Sequence, residues 1–242
     1  MSLVLDAIAE GRNPVTLTEL AQRTGLPRST VHRLVQSLEA ELYIARVHDR
    51  AGYVLGPGLL KFGMNAHRSL VAANHGRLVV IAREVNENVE LAAFSGREVI
   101  VVDQVASPER LIGVSKLGKS FSLHASAIGL ALLAELPDAR VEQLLPADLR
   151  SFTRGTITNR VQLREELDRV RRSRVAVDFE MHDSGICAIA VATTGSAGTL
   201  FAVSVVIPTQ RFRNKAAPAA EALLRIDSTV DVAQAMRARG LA

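Results

Sequence analysis

Apolar positions near the start of the chain recur in three short helical blocks, then switch to period two. The first block covers residues 3–10 and stops at Gly11, with Pro14 beyond. In the second, Leu17, Leu20 and Ala21 face inward; Thr16 or Thr18 can cap it and Gly25 ends it. The third follows Pro27, whose missing N–H suits a first helical turn. It places Val31, Leu34, Val35 and Leu38 at i, i+3, i+4 and i+7. Arg28, Ser29, His32, Arg33 and Gln36 are left facing outward. Residues 44–48 and 53–55 then alternate around Asp49-Arg50-Ala51-Gly52, which predicts a β-hairpin. Two helices about a glycine turn, followed by a hairpin, predict a winged helix-turn-helix whose second helix can lie in the DNA major groove.

Beyond the hairpin, residues 57–73 return to helical spacing with Leu59, Leu60, Phe62, Met64 and Leu70, and Asn74-His75-Gly76 marks an end. This reads as a linker helix, giving three parts: a DNA-binding domain over 1–56, a linker over 57–74, and a second domain over 75–242. The second domain mixes elements. Helices are predicted over 77–86, over 124–136 before Pro137, over 159–173 with Thr158 as cap, from Asn214 onward, and over 230–239. Strands are predicted over 89–94, 99–105, 175–181, 186–194 and 199–207, the last two forming a hairpin through 195–198. The result is an α+β domain with an antiparallel sheet flanked by helices.

Composition narrows the function. The 242 residues are 48% hydrophobic and 22% charged, as in an ordinary globular protein. Seven Phe, two Tyr and no Trp leave little material for a surface that stacks single-stranded bases. The net charge is +4, but residues 1–62 carry seven basic against six acidic side chains. Any positive field at the helix-turn-helix therefore depends on where its arginines sit. One cysteine, Cys187, excludes an intrachain disulfide and a cysteine-rich metal site. No basic n-region with an apolar run opens the chain, and no apolar run of about 18 residues follows, so a cytoplasmic location is expected.

The chemistry-bearing candidates fall in two places. On the third helix, Arg28 and Arg33 suit bidentate contact with guanine, Gln36 suits adenine, and Ser29 and Thr30 are short enough for phosphate, with His32 on the same face. Thr30 also suits a local backbone hydrogen bond. Arg46, His48 and Arg50 of the hairpin are placed for phosphate or the minor groove. Elsewhere no catalytic site or cofactor is expected. His124, Ser126 and Asp178 lack a Gly-x-Ser-x-Gly elbow, and Gly195-Ser196-Ala197-Gly198 lies in a hairpin turn. His182-Asp183 is too sparse for a metal site. Cys187 sits in an apolar strand as a small hydrophobe. The four arginines within 169–174 read as the solvated end of a helix.

Taken together, Leu17 through Leu34, the Tyr53-Val54-Leu55-Gly56 and Gly58-Leu59-Leu60 segments, Leu123 through Ala134, and Asp178-Phe179-Glu180 with Gly185 through Ala190 resemble the bacterial IclR family of transcriptional regulators. The resemblance spans essentially the whole chain. It implies a GAF-like C-terminal domain that binds a small organic effector, commonly a carboxylate or aromatic acid. It also implies cytoplasmic homodimers, often dimers of dimers, on a pseudo-palindromic operator. Gly113, Ala127, Ile128, Asp178, Ile186, Ala188 and Ser204 fall in the segments that contact effector in the family. Leu130, Ala188 and Val206 stand where members often carry Lys, Cys and Ser, and Phe121-Ser122 displaces a usual Pro. These departures imply a less polar pocket than in carboxylate-binding members. The reading from a different class is a metabolite-sensing or enzymatic domain whose helix-turn-helix serves protein contacts; a third is a nucleoid-type DNA binder without sequence preference.

Overall fold

The computed structural model describes residues 1–241 apart from 12–13, 48–50, 97, 108–115 and 196–197. The chain divides into two compact units, Met1–Leu70 and Val71–Ala242.

The first unit holds α1 (Ser2–Ala9), α2 (Leu17–Thr24), α3 (Arg28–Ala40) and a hairpin of β1 (Ile44–Arg46) with β2 (Tyr53–Leu55). Val15 adds one antiparallel bridge to Tyr53. Thr16, not Thr18, caps α2: its hydroxyl accepts from the Glu19 N–H while the Glu19 carboxylate accepts from the Thr16 N–H at 2.7 Å. This reciprocal pair satisfies two otherwise orphaned donors. Gly25 closes α2 at φ 67°, a left-handed conformation that only glycine adopts at little cost, and so sets the turn into α3. Val4, Ile8, Leu20, Val31, Val35, Leu38 and Ile44 form the core, with Leu34 packed half-buried against it.

After a 3-10 turn at Pro57–Leu59, α4 runs unbroken from Leu60 to Val85, through the boundary between the units. The expected stop at Asn74-His75-Gly76 does not occur, and the helix outruns the linker read over 57–74. One helical glycine costs only about 1 kcal/mol. Asn74, Leu78, Ile81, Ala82 and Val85 bury a continuous stripe that outweighs it.

The second unit is built on a six-stranded antiparallel sheet. Its strands are β3 (Asn88–Phe94), β4 (Val99–Val105), β5 (Ser120–Phe121), β6 (Ala176–Phe179), β7 (Ile186–Thr194) and β8 (Leu200–Pro208), in spatial order β5-β4-β3-β8-β7-β6. Helix α5 (Ala127–Ala134) is buried at every position, as a helix apolar all round must be. It packs with α7 (Arg160–Ser173) on the sheet face carrying Ala190, Ala192 and Ala202. Alternate strand residues such as Ile189 and Val191 point to the other face. There the buried alanines and leucines of α8 (Thr209–Leu224) contact β7 and β8. A Cβ on Gly129 of α5 would lie 2.3 Å from the Leu123 carbonyl oxygen, so the close approach of that chain requires glycine.

Several local expectations shift. His124 and Ala125 lie outside α5, which begins only after Ser126, whose hydroxyl accepts from the Gly129 N–H at 3.2 Å. Asn159 rather than Thr158 caps α7, accepting from Val161 and Gln162. Helix α8 starts five residues before Asn214 and passes through Pro218. Helix α6 (Asp138–Leu144) and strand β5 had no clear sequence signal. Helix α9 (Val232–Arg239) packs on α7, where Arg239 donates to the buried Glu166 carboxylate at 2.6 Å.

Candidate functional site

Burying Val31, Val35 and Leu38 fixes the rotation of α3 and so decides which side chains solvent sees. Arg28, Ser29, His32, Arg33 and Gln36 are all exposed; Thr30 is half-buried at the edge of that face. Among the described residues, none of Arg28, His32, Arg33 and Gln36 makes a side-chain hydrogen bond or ion pair within the chain. Their donors are therefore available to a partner. No acidic side chain sits in the first turn of α3 to offset them. Arg46 ends β1 and is exposed; His48 and Arg50 lie outside the described residues.

In the second unit the sheet register brings distant residues into two adjacent rows. Glu90, Ser204 and Ala190 stand side by side on β3, β8 and β7, and Val206, Ala188 and Asp178 do so on β8, β7 and β6. With Ile186, all of these but Ala190 floor a cavity of about 40 Å³, roofed by Ser126, Ala127 and Ile128 of the α5 start and closed by Phe121, His182 and Asp183. Six of the seven residues singled out by sequence, Ala127, Ile128, Asp178, Ile186, Ala188 and Ser204, line this one cavity. Gly113 lies outside the described residues. Glu90, Phe121, His182 and Asp183 had not been singled out for it. Glu90 carried a signal, a lone charge inside the apolar run Val89–Phe94; Phe121 and His182 are 61 residues apart and gave none.

The lining is acidic and largely desolvated. Glu90 is 3% and Asp178 7% exposed. Burial pushes the Asp178 carboxyl up to about 7, against the pull of a 2.6 Å hydrogen bond from the Met181 N–H, and nearby Asp183 adds to the rise. Asp183 itself lies below the usual carboxylate range despite partial burial, because His182 and Lys119 hold its charge. Ser204 is 1% exposed, and its hydroxyl finds no partner among the described residues.

A second, larger cavity of about 290 Å³ adjoins the first, and Phe121 and His182 line both. The His182 ring is stacked on Phe152 at 4.8 Å and edge-on to Phe121 at 4.9 Å, so these rings form the partition. His124 walls the outer cavity. Its Nε2 faces the Arg150 carbonyl at 2.9 Å and must donate there, which leaves Nδ1 to accept from the Ser122 hydroxyl. Ser126 donates to the Ser122 carbonyl, so neither residue is set up as a base–nucleophile pair. Cys187 points away from the cavity toward the Thr209 hydroxyl, and burial raises its thiol pKa.

A winged helix-turn-helix with a free basic face, carried on one chain with an α+β domain that encloses a cavity, defines a DNA-binding transcriptional regulator. The chain belongs to the IclR family. Residues 3–48 match the IclR helix-turn-helix domain, and residues 64–232 match the C-terminal domain of the bacterial transcriptional regulator IclR. It is 42% identical over 213 residues to the HTH-type transcriptional regulator Rv1719 of Mycobacterium tuberculosis, covering 88% of this chain and 82% of that one. Among solved structures, an IclR transcriptional regulator from Silicibacter sp. TM1040 shares the fold with a TM-score of 0.78 at 23% identity, covering 98% and 95% of the two chains. An IclR homologue from Microbacterium hydrocarbonoxydans, solved in complex with 4-hydroxybenzoate, matches with a TM-score of 0.65 at 23% identity, covering 100% and 98%. The Rv1719 and Silicibacter proteins are named as transcriptional regulators and not as enzymes. No described helix is long and apolar enough to cross a membrane.

Proposed function

We propose that this regulator binds a pseudo-palindromic operator as a homodimer, or as a dimer of dimers, and changes its occupancy when a small organic effector fills the cavity beneath α5. The observation that carries the DNA half is the unpartnered face of α3. Arg28, Arg33 and Gln36 read base edges, Ser29, Thr30 and His32 position the helix, and Arg46 and Arg50 reach the backbone from the hairpin. Residues 1–56 form the reading domain, 57–74 the linker and 75–242 the effector domain, working in the cytoplasm. Leu60 and Met64 of α4, one turn apart, are each more than half exposed, and this apolar strip supports pairing with a second copy.

The effector half rests on the cavity lined by Ala127, Ile128, Asp178, Ile186, Ala188 and Ser204, with Gly113 added from the family pattern. The 4-hydroxybenzoate in the solved neighbour supports a small aromatic or carboxylate ligand. Such a ligand acts only through different affinities for two arrangements of the oligomer, and a coupling of about 1–3 kcal/mol suffices to change occupancy several-fold or more.

The test is an electrophoretic shift with the DNA upstream of the protein's own gene. Wild-type protein retards that fragment at low salt, and the Arg33→Ala, Gln36→Ala double variant does not while retaining its thermal transition. Equal retardation by both would reject α3 as the reading element.

A further inference from the structure

We propose that the outer cavity of about 290 Å³ is a second ligand subsite, and that it takes a small zwitterion, an amino acid with an apolar side chain. This goes beyond the effector reading above, which rests on the inner cavity alone.

Two opposite charges carry the inference. Glu98 and Arg150 both line the outer cavity, and both are exposed. Among the described residues, neither side chain makes a hydrogen bond or an ion pair, with the other or with any third group. The histidines of the lining are already engaged. His124 uses both ring nitrogens, on the Arg150 carbonyl and the Ser122 hydroxyl, and His182 meets Asp183 through Nδ1. Lys119, which lies over the Phe121 ring, is paired with Asp183 at 3.6 Å. An occupant of this cavity therefore meets one unpaired cation and one unpaired anion.

Both charges stand on fixed backbone. The Arg150 carbonyl accepts from His124 Nε2 at 2.9 Å, and its guanidinium lies over the Phe152 ring, 5.0 Å from the centroid. Such a contact restrains the side chain without consuming its N–H donors. Glu98 sits in the turn between β3 and β4. Its N–H donates to the Ser95 hydroxyl at 3.2 Å, and its carbonyl accepts from the Ser95 N–H and hydroxyl, each at 2.9 Å. The next residue, Val99, is in register with Phe121 of the cavity wall. A guanidinium presents a rigid fork that matches a carboxylate, and a carboxylate accepts from an ammonium. A ligand with one charge leaves one of the two unmatched; a zwitterion meets both.

Size and the rest of the wall agree with this class. Leu123, Leu144, Leu145 and Pro146 add apolar surface that suits an aliphatic side chain. A cavity of about 150 Å³ admits benzene, so about 290 Å³ accommodates an amino acid with a branched four-carbon side chain. No side chain has to move.

Calorimetric titration of the full-length protein at about pH 7 tests this with three matched compounds. L-leucine carries both charges, L-leucinamide only the ammonium and N-acetyl-L-leucine only the carboxylate. L-leucine is expected to bind about fivefold more tightly than either derivative. Arg150→Gln lowers L-leucine toward the level of leucinamide and leaves leucinamide unchanged, and Glu98→Gln does the same against N-acetyl-leucine. This ligand-by-variant pattern marks direct contact, because a merely structural loss weakens all three compounds alike. Both side chains are exposed, so both variants keep the wild-type thermal transition. Ala188→Phe, which fills the inner cavity, leaves L-leucine binding intact. Equal binding of the three compounds, or equal weakening of all three by the variants, overturns the zwitterion class. L-leucine binding that survives Arg150→Gln but is lost in Ala188→Phe belongs to the inner cavity and overturns the subsite. No binding of L-leucine overturns both, and leaves the effector reading to its own test.

Discussion

Asp178 accepts the Met181 backbone N–H at 2.6 Å, and this bond is the main force opposing the burial of its carboxyl. Burial still wins, lifting the group from 3.8 to about 7. The folded protein thus holds this proton more tightly than the unfolded chain does. Its contribution to stability is fully present below about pH 4, declines as pH rises through 7, and is then lost, a change on the order of 4 kcal/mol. Asp178→Asn keeps an oxygen for the Met181 N–H and removes the titration. Denaturant unfolding at about pH 5 and pH 8 is expected to show a larger loss of stability for wild type than for the variant. Glu90, His182 and Asp183 are present in both, so parallel behaviour of the two proteins would show that Asp178 ionises normally.

Glu87 is fully buried where β3 begins, and Arg211 of α8 grips both its oxygens, at 2.8 and 2.7 Å. Removing one partner of such a pair strands a charge; replacing both with apolar groups does not. Arg211→Met is expected to lose about 3 kcal/mol or more, and Glu87→Leu with Arg211→Met much less than the sum of those two single changes. Urea midpoints of the three proteins read this directly.

The parts legible in the sequence are those set by near neighbours. Val31, Val35 and Leu38 fix the α3 face because one helix determines its own periodicity, and Thr16 with Glu19 settles a cap within three residues. Thr158 and Asn159 are both capping residues side by side, and only the burial of Leu163 and Leu167 against the sheet selects the later one. The α4 break was misread for a similar reason: the stripe that carries the helix through Gly76 is buried by tertiary contacts. The cavity depends most on distance along the chain. Every strand of this sheet but β5 was visible as an apolar run, but nothing local places β3 beside β8, which makes Glu90 the neighbour of Ser204. Likewise the sequence offered His182 only as part of a His-Asp pair too sparse for a metal site, until the fold set its ring against Phe121 and Phe152.

Cys187 is fully buried on β7, with its thiol pKa raised and its sulfur 3.4 Å from the Thr209 hydroxyl. The thiolate is the reactive form, so this thiol is protected both by protonation and by lack of access. In native protein it is expected to resist a disulfide reagent such as DTNB, with one equivalent released on unfolding. Rapid labelling of the native protein would contradict the burial of β7.

Phe121 is the thin wall between the two cavities, with the Lys119 ammonium lying 4.4 Å from its ring centroid. Phe121→Ala merges the spaces and is expected to cost about 3 kcal/mol, the low end for Phe→Ala because the ring already borders open volume on both sides. The same variant is expected to accept larger aromatic ligands than wild type does, read as thermal shifts for two-ring against one-ring aromatics of the same functional group. Loss of stability without any change in ligand size range would mean the two cavities are not parts of one site.

The reading face of α3 gives a test that separates base contacts from phosphate contacts. Arg33 and Gln36 are exposed and make no internal partner among the described residues, so their removal leaves the first unit's core of Val4, Ile8, Leu20 and Val31 untouched. Arg33→Ala is expected to cost about 1–3 kcal/mol on the operator and to relax discrimination at one position of each half-site. Arg46→Ala, at the end of β1, acts through the backbone instead. It weakens operator and unrelated DNA alike and lowers the salt slope of log K by about one. Fluorescence anisotropy on both DNAs across a salt series measures the two effects together. If Arg33→Ala preserves sequence discrimination while Arg46→Ala destroys it, the hairpin rather than α3 reads the operator.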